Sequence, residues 1–138
     1  MIIKNIIVGE DVRQELGNKL SLMGILGESI NIDIPRDTPK DTPVQVILSS
    51  LITIENDRFE LLNEFVIEVI LLLGQDQFAK MAAKIGADGN PKLLHVPVPK
   101  FEFPATESVV LTINAKILKD NESISESSCA LNVNINRT

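Results

Sequence analysis

The stretch that decides the fold is Val109-Val-Leu-Thr-Ile-Asn-Ala-Lys-Ile-Leu118. Val109, Leu111, Ile113, Ala115 and Ile117 are apolar, and Thr112, Asn114 and Lys116 alternate with them. A period of two sends one set to each side of a pleated strand, so this segment reads as a strand with one buried face. The pattern recurs on either side. At the C-terminal side Cys129, Leu131, Val133 and Ile135 alternate with Ala130, Asn132, Asn134 and Asn136. Upstream, Val44, Val46, Leu48, Ile52 and Ile54 alternate with Gln45, Ser49 and Thr53, and Ile30, Ile32 and Ile34 alternate with Ser29, Asn31 and Asp33.

Residues 64–73 differ. One face is wholly apolar (Phe65, Ile67, Val69, Leu71, Leu73), and the other turns apolar halfway along, at Ile70 and Leu72. A strand apolar on both faces is expected to be central and covered on both sides. The next segment offers a cover: Phe78, Met81, Ala82 and Ile85 fall at helical spacing, with Asp76 as N-cap and Gly86 just past the end, which predicts a short amphipathic helix over 77–85. Residues 88–91, Asp-Gly-Asn-Pro, read as a turn. In 93–103, Pro97 and Pro99 remove donors from the same strand edge, which suits an edge strand. Asp120, Asn121 and Glu122 read as the turn between the last two strands, and 36–43, with its doubled Asp-Thr-Pro, as an extended polar loop. Near the start, a charged cluster (Glu10, Asp11, Arg13, Gln14, Glu15) precedes the turn dipeptide Gly17-Asn18 and an apolar run from Leu20 to Leu26, the pattern of a β-hairpin whose second strand is buried.

These signals predict a mainly β chain: one domain, 1–138, folded as an antiparallel β-sandwich of about eight strands with one short amphipathic helix. A parallel α/β sheet would need a helical crossover between most strands. A chain of 138 residues buries roughly two-thirds of its unfolded surface and needs no disulfide or metal to fold.

The opening of the hairpin, Glu-Asp-Val-Arg-Gln-Glu at 10–15 followed by Gly17-Asn18-Lys19 and Leu-Ser-Leu-Met-Gly-Ile-Leu-Gly at 20–27, resembles the start of a family of small bacterial proteins classed only as a domain of unknown function. The resemblance covers 7–28 and extends more loosely over 96–133, where the last strands also resemble those of Ig-like and C2-like sandwiches. It implies a sandwich fold and carries no activity, cofactor or partner with it.

Composition narrows the function classes. Thirteen basic and nineteen acidic residues give a net charge of −6, which repels phosphate backbones and anionic membranes, and no basic patch offsets it. There is no Trp or Tyr to stack on sugars or unpaired bases. The longest apolar run, 69–73, is far shorter than the roughly 20 residues of a membrane span. The N-terminus lacks the pattern of a signal peptide, and the single Cys129 permits no internal disulfide, so the cytoplasm is the expected compartment.

Catalytic signals are equally sparse. His95 is the sole histidine, with no second imidazole or thiol spaced to share a metal or a proton relay, and it reads as a partly buried structural residue. Cys129 reads as a small buried apolar side chain. No Gly-x-Ser-x-Gly elbow, P-loop or dinucleotide fingerprint is present. Asp33, Asp37 and Asp41 lie in or beside one loop, as Ca²⁺-binding aspartates do in C2-like sandwiches, but two of them sit in Asp-Thr-Pro turns. One feature lacks a folding reason: strand geometry places Asp11, Arg13 and Glu15 on one face, with Val12 and Leu16 on the other. These three are the candidate binding residues. Ile70 and Leu72 lie either under the expected helix or in an interface, and Val110 and Leu118 add outward apolar residues of the kind used for association. The expected function is a non-enzymatic sandwich without cofactor or metal, acting by contact with a protein partner or with itself as a homodimer. The alternative is a small-molecule or Ca²⁺-binding sandwich module.

Overall fold

The computed structural model of the chain describes residues 1–17, 19–86 and 91–138. Asn18 of the Gly17-Asn18 turn, and 88–90 of the expected 88–91 turn, lie outside the described residues. The order of elements is β1 (Ile2–Gly9), β2 (Asp11–Glu15), β3 (Lys19–Met23), β4 (Ser29–Ile34), β5 (Val44–Glu55), a 3₁₀ turn (Leu62–Glu64), β6 (Phe65–Leu73), β7 (Asp76–Lys84), β8 (Leu93–Ala105), β9 (Val109–Lys119) and β10 (Glu122–Arg137). The chain is mainly β, as expected.

The strands form a three-stranded sheet in the order β1-β5-β8, a five-stranded sheet in the order β4-β10-β9-β6-β7, and the small hairpin β2-β3. The two larger sheets face each other across one core. Val46, Leu48, Ile52 and Ile54 of β5, with Leu94, Val98, Phe101 and Phe103 of β8, meet Phe65, Ile67, Val69 and Leu71 of β6, Leu111, Ile113 and Ile117 of β9, and Leu131 and Val133 of β10. Each fully buried side chain of this size contributes about 1.5–3 kcal/mol, so the inward alternation of these strands drives the fold. The buried set of β8 changes from even positions (Leu94, Val98) to odd ones (Phe101, Phe103). The cause is a bulge: Val98 pairs with Ser50 and Phe101 with Leu48, so Pro99 and Lys100 together oppose Ser49. β8 is an edge strand, as its prolines require. Asp120 and Asn121 turn with φ of 52° and 65°, which matches a two-residue hairpin loop between the paired Lys119 and Glu122.

Four expectations need correction. Residues 77–85 form no helix. Most of them belong to β7, which pairs antiparallel with β6 through the turn at Gly74-Gln75, where Gly74 has φ of 63°. A segment this short is marginal as a helix by itself, and the ladder on β6 outweighs the helical preference of its alanines and lysines. Its misleading spacing comes from a bulge: Ala79 pairs with Leu71 and Gln77 with Leu72, which leaves Phe78 as an extra residue. Among the described residues the strands number ten rather than about eight, the additions being β1 and β7. The sandwich is not wholly antiparallel, because β4 runs parallel to β10, from Ser29 opposite Asn132 to Ile34 opposite Arg137. Finally, Leu20 to Leu26 is not a buried strand. Leu20, Leu22 and Leu26 are half-buried, Met23 and Ile25 are exposed, and Leu26 only bridges to Val8.

The β2-β3 hairpin lies over β5 and β8 of the three-stranded sheet. Gly9 permits this approach: a Cβ there would come 2.7 Å from Leu22 Cδ1 and 2.9 Å from the Met23 carbonyl. No strand covers the outer face of the five-stranded sheet among the described residues.

Candidate interaction surface

Asp11, Arg13 and Glu15 fall on one face of β2, while Leu16, expected on the other face with Val12, lies beyond the strand. In the hairpin register Asp11, Arg13 and Glu15 oppose Met23, Ser21 and Lys19, while Val12 and Gln14 oppose Leu22 and Leu20. Arg13 Nε donates to Asp11 Oδ2 at 3.0 Å. That hydrogen bond holds the Asp11 carboxyl below the usual carboxylate range, with help from the charge of nearby Lys100. Arg13 and Glu15 are exposed and Asp11 is half-buried. Leu16, just before the turn, is 96% exposed.

The larger surface is the outer face of the five-stranded sheet. The registers place Val66 opposite Leu118 and Leu72 opposite Thr112, with Ile70 opposite Asn114. Val110 extends the apolar area and is 40% exposed. Polar groups are interleaved and largely paired: Lys80 Nζ lies 3.5 Å from Glu68 Oε2, and Asn114 Nδ2 donates to Glu126 Oε1 at 3.1 Å and to Ser128 Oγ at 2.7 Å. Ile70 and Leu72 therefore face outward with no helix above them among the described residues, which leave the strand that carries them central by hydrogen bonding yet covered on one side only.

The asparagines of β10 are explained by β4. Asn134 Nδ2 donates to Asn31 Oδ1 at 3.2 Å and Asn136 Nδ2 to Asp33 Oδ1 at 3.3 Å, which stitches the parallel pair on its outer side. Asp33 thus serves the sheet, while Asp37 and Asp41 are exposed in the loop. Among the described residues no three His, Cys, Asp or Glu side chains are grouped to hold a metal ion. His95 is exposed, a correction to the partly buried role expected of it, and its Nδ1 lies 3.1 Å from Thr53 Oγ1 on the neighbouring strand. Cys129 is half-buried against the core, and burial pushes its thiol pKa up, which suppresses the reactive thiolate. Among the described residues no helix is long and apolar enough to cross a membrane.

Three features were not anticipated. Arg137 donates from Nη1 to the Thr38 carbonyl and from Nη2 to the carbonyls of Pro39 at 3.3 Å and Lys40 at 3.4 Å, pinning the Asp-Thr-Pro loop to the last strand. Ser125 Oγ accepts the Ile3 N–H at 3.2 Å, so β10 caps part of the edge of β1. Phe59 and Leu61 are 58% and 67% exposed in the loop after β5.

No protein-family model matches the chain, and no curated protein matches it.

Proposed function

We propose that this protein is a non-enzymatic β-sandwich that acts by protein–protein contact, with the outer face of its five-stranded sheet as the contact surface and self-association as a homodimer its simplest form. The observation that carries the reading is the outward-facing apolar set Val66, Ile70, Leu72, Val110 and Leu118, of which Val110 is exposed and the rest half-buried, spread over the adjacent strands β6 and β9. Sheets that stay solvated on one side usually alternate cleanly to polar on that side, and this face does not. The paired Glu68 and Lys80 beside it would form part of a polar rim. Asp11, Arg13 and Glu15 are proposed as a second, smaller contact on the opposite sheet. The resemblance of 7–28 to small bacterial proteins supports a bacterial setting, and the acidic charge of −6 fits a cytoplasmic one.

The test is the mass of the chain in solution as a function of concentration, by sedimentation velocity. The expected result is reversible dimerisation that the substitution Ile70→Lys abolishes while the far-ultraviolet circular dichroism stays unchanged. A strict monomer at every concentration would remove self-association, and an Ile70→Lys dimer as tight as the parent would remove this face.

A further inference from the structure

Two sheet edges meet at one side of the sandwich, and they are built differently. β8 ends the three-stranded sheet and β7 ends the five-stranded sheet. The edge of β8 is barred to a further strand by Pro97, Pro99 and Pro104, which lack N–H groups, and by the bulge at Pro99-Lys100. β7 carries no proline, and among the described residues it pairs with β6 alone. Its outer backbone donors and acceptors therefore present a template for another strand.

Between these edges lies an apolar groove of about 220 Å³, lined by Ile67, Val69, Met81, Ala83, Val96 and Val98 among others. Its floor belongs to the core: Ile67, Val69 and Val98 are at most 3% exposed. Its wall on the β7 side is low because Ala82 and Ala83 stand there. Further along, the seam is closed, because the ring of Phe78 on β7 packs against Phe103 on β8 at 5.5 Å between centroids. A free edge beside an apolar groove is the arrangement that receives an added strand: the main chain supplies affinity, and alternate side chains enter the groove.

Charge selects the occupant. The outer side of β7 presents Lys80 and Lys84, placed by their pairing with Ile70 and Val66; Lys80 already lies 3.5 Å from Glu68 Oε2, so Lys84 carries more of the attraction. A second copy adding through its own β7 would gather the lysines of both copies on one face of adjoining strands, and like charges across strands are destabilising. A strand that alternates apolar with acidic residues puts its aliphatic side chains in the groove and its carboxylates beside Lys80 and Lys84. We propose that the β7 edge and this groove form a strand-addition site for an extended segment of a partner protein in which apolar and acidic residues alternate. The inference rests on the protein-contact reading but uses a different surface from the sheet face.

The experiment titrates the intact chain with a nine-residue peptide of alternating valine and glutamate, matched to the nine residues of β7, and follows binding by fluorescence anisotropy and backbone protection by hydrogen exchange. The expected result is saturable binding that slows exchange about tenfold at amides of β7 and not at β9. Lys84→Glu is expected to weaken binding about fivefold, and Ala83→Asp, at an exposed position on the groove wall, to abolish it with the fold intact by circular dichroism. Absence of binding at about 1 mM peptide, a free energy near −4 kcal/mol, would overturn the proposal, as would equal binding of a valine–lysine peptide. Protection of β7 that grows with protein concentration in the absence of peptide would assign the edge to a second copy and overturn it too. Val110→Lys, on β9 and separated from β7 by β6, distinguishes the two readings: it is expected to weaken dimerisation and leave peptide protection of β7 unchanged.

Discussion

Phe78 on β7 and Phe103 on β8 pack with ring centroids 5.5 Å apart and planes tilted by 50°, a contact between edge strands of opposite sheets. Neither strand is hydrogen-bonded to the other, so this pair helps to hold the seam between them shut. The two rings are unequal partners. Phe103 is 1% exposed and Phe78 is 36% exposed. Phe103→Ala is therefore expected to cost about 3–5 kcal/mol, the usual loss for a buried aromatic, and Phe78→Ala about 1–2 kcal/mol, because much of its surface already meets water. Urea unfolding of both variants measures the order, and equal losses would mean that the seam is held by something other than this contact.

Ser49 and Ser50 make a second, sharper contrast. Both are fully buried. Ser50 Oγ donates to the Ile7 carbonyl at 2.9 Å, and Ser49 Oγ has no hydrogen-bond partner among the described residues. Removing a hydroxyl that is bonded sacrifices the bond and strands the carbonyl, whereas removing one that is desolvated and unpaired relieves a penalty. Ser50→Ala is expected to destabilise by about 1–2 kcal/mol and Ser49→Ala to leave stability unchanged or raise it by up to about 1 kcal/mol. Denaturant midpoints with a constant slope check the signs. A Ser49→Ala variant as damaged as Ser50→Ala would show that Ser49 has a polar partner after all.

The elements that could be read from sequence are those in which one face meets the core and the ladder is unbroken. Leu111, Ile113, Ala115 and Ile117 alternate because β9 is a central strand with no bulge. β1 shows no strand period in sequence because the irregularity between Ile3 and Asn5 moves its inward positions from Ile3 to Ile6 and Val8. β7 reads as a helix because its bulge at Phe78 imitates a helical stripe and its pairing on β6 is a tertiary effect. The parallel alignment of β4 on β10 joins residues 103 apart, such as Asn31 and Asn134, and no local signal encodes it. At the candidate site, the neighbourhood of Asp11 and Arg13 follows from the period of a strand. The work of Arg137 could not, since its partners are backbone carbonyls that any residue carries.

Arg137 suggests a third experiment. Its guanidinium holds the carbonyls of Thr38, Pro39 and Lys40, and the planar fork of arginine serves several acceptors in fixed directions where the ammonium of lysine serves as a point charge. Arg137→Lys is expected to restore little of what Arg137→Ala removes, about 1–3 kcal/mol for hydrogen bonds to a charged donor. The loop at 36–43 is expected to become the preferred site of limited proteolysis in both variants, with the rest of the sandwich intact. Full rescue by lysine would mean that charge alone anchors the loop.

The Asp11–Arg13 pair yields a prediction in pH. The Asp11 carboxyl is held below its ordinary value first by the hydrogen bond from Arg13, then by the charge of Lys100. A carboxyl whose folded pKa is depressed binds its proton more weakly in the folded chain than in the unfolded one. Its contribution is present above the ordinary carboxylate pKa and is lost as pH falls through the lower folded value. The side chains are solvent-facing, so added salt is expected to shrink the effect. In Arg13→Ala the Asp11 titration, followed by the chemical shift of its carboxyl carbon, is expected to move up toward the ordinary value while Lys100 keeps it slightly low. Arg13→Glu is expected to raise it further, by placing a like charge beside it, and to leave the hairpin folded because the hairpin is held by the hydrogen bonds from Glu10 N–H to the Met23 carbonyl and from Leu26 N–H to the Val8 carbonyl and by the close approach of Leu22 to Gly9. A variant that loses the hairpin would show that the pair organises the fold. One that keeps the hairpin and loses a partner would place Asp11, Arg13 and Glu15 in a contact.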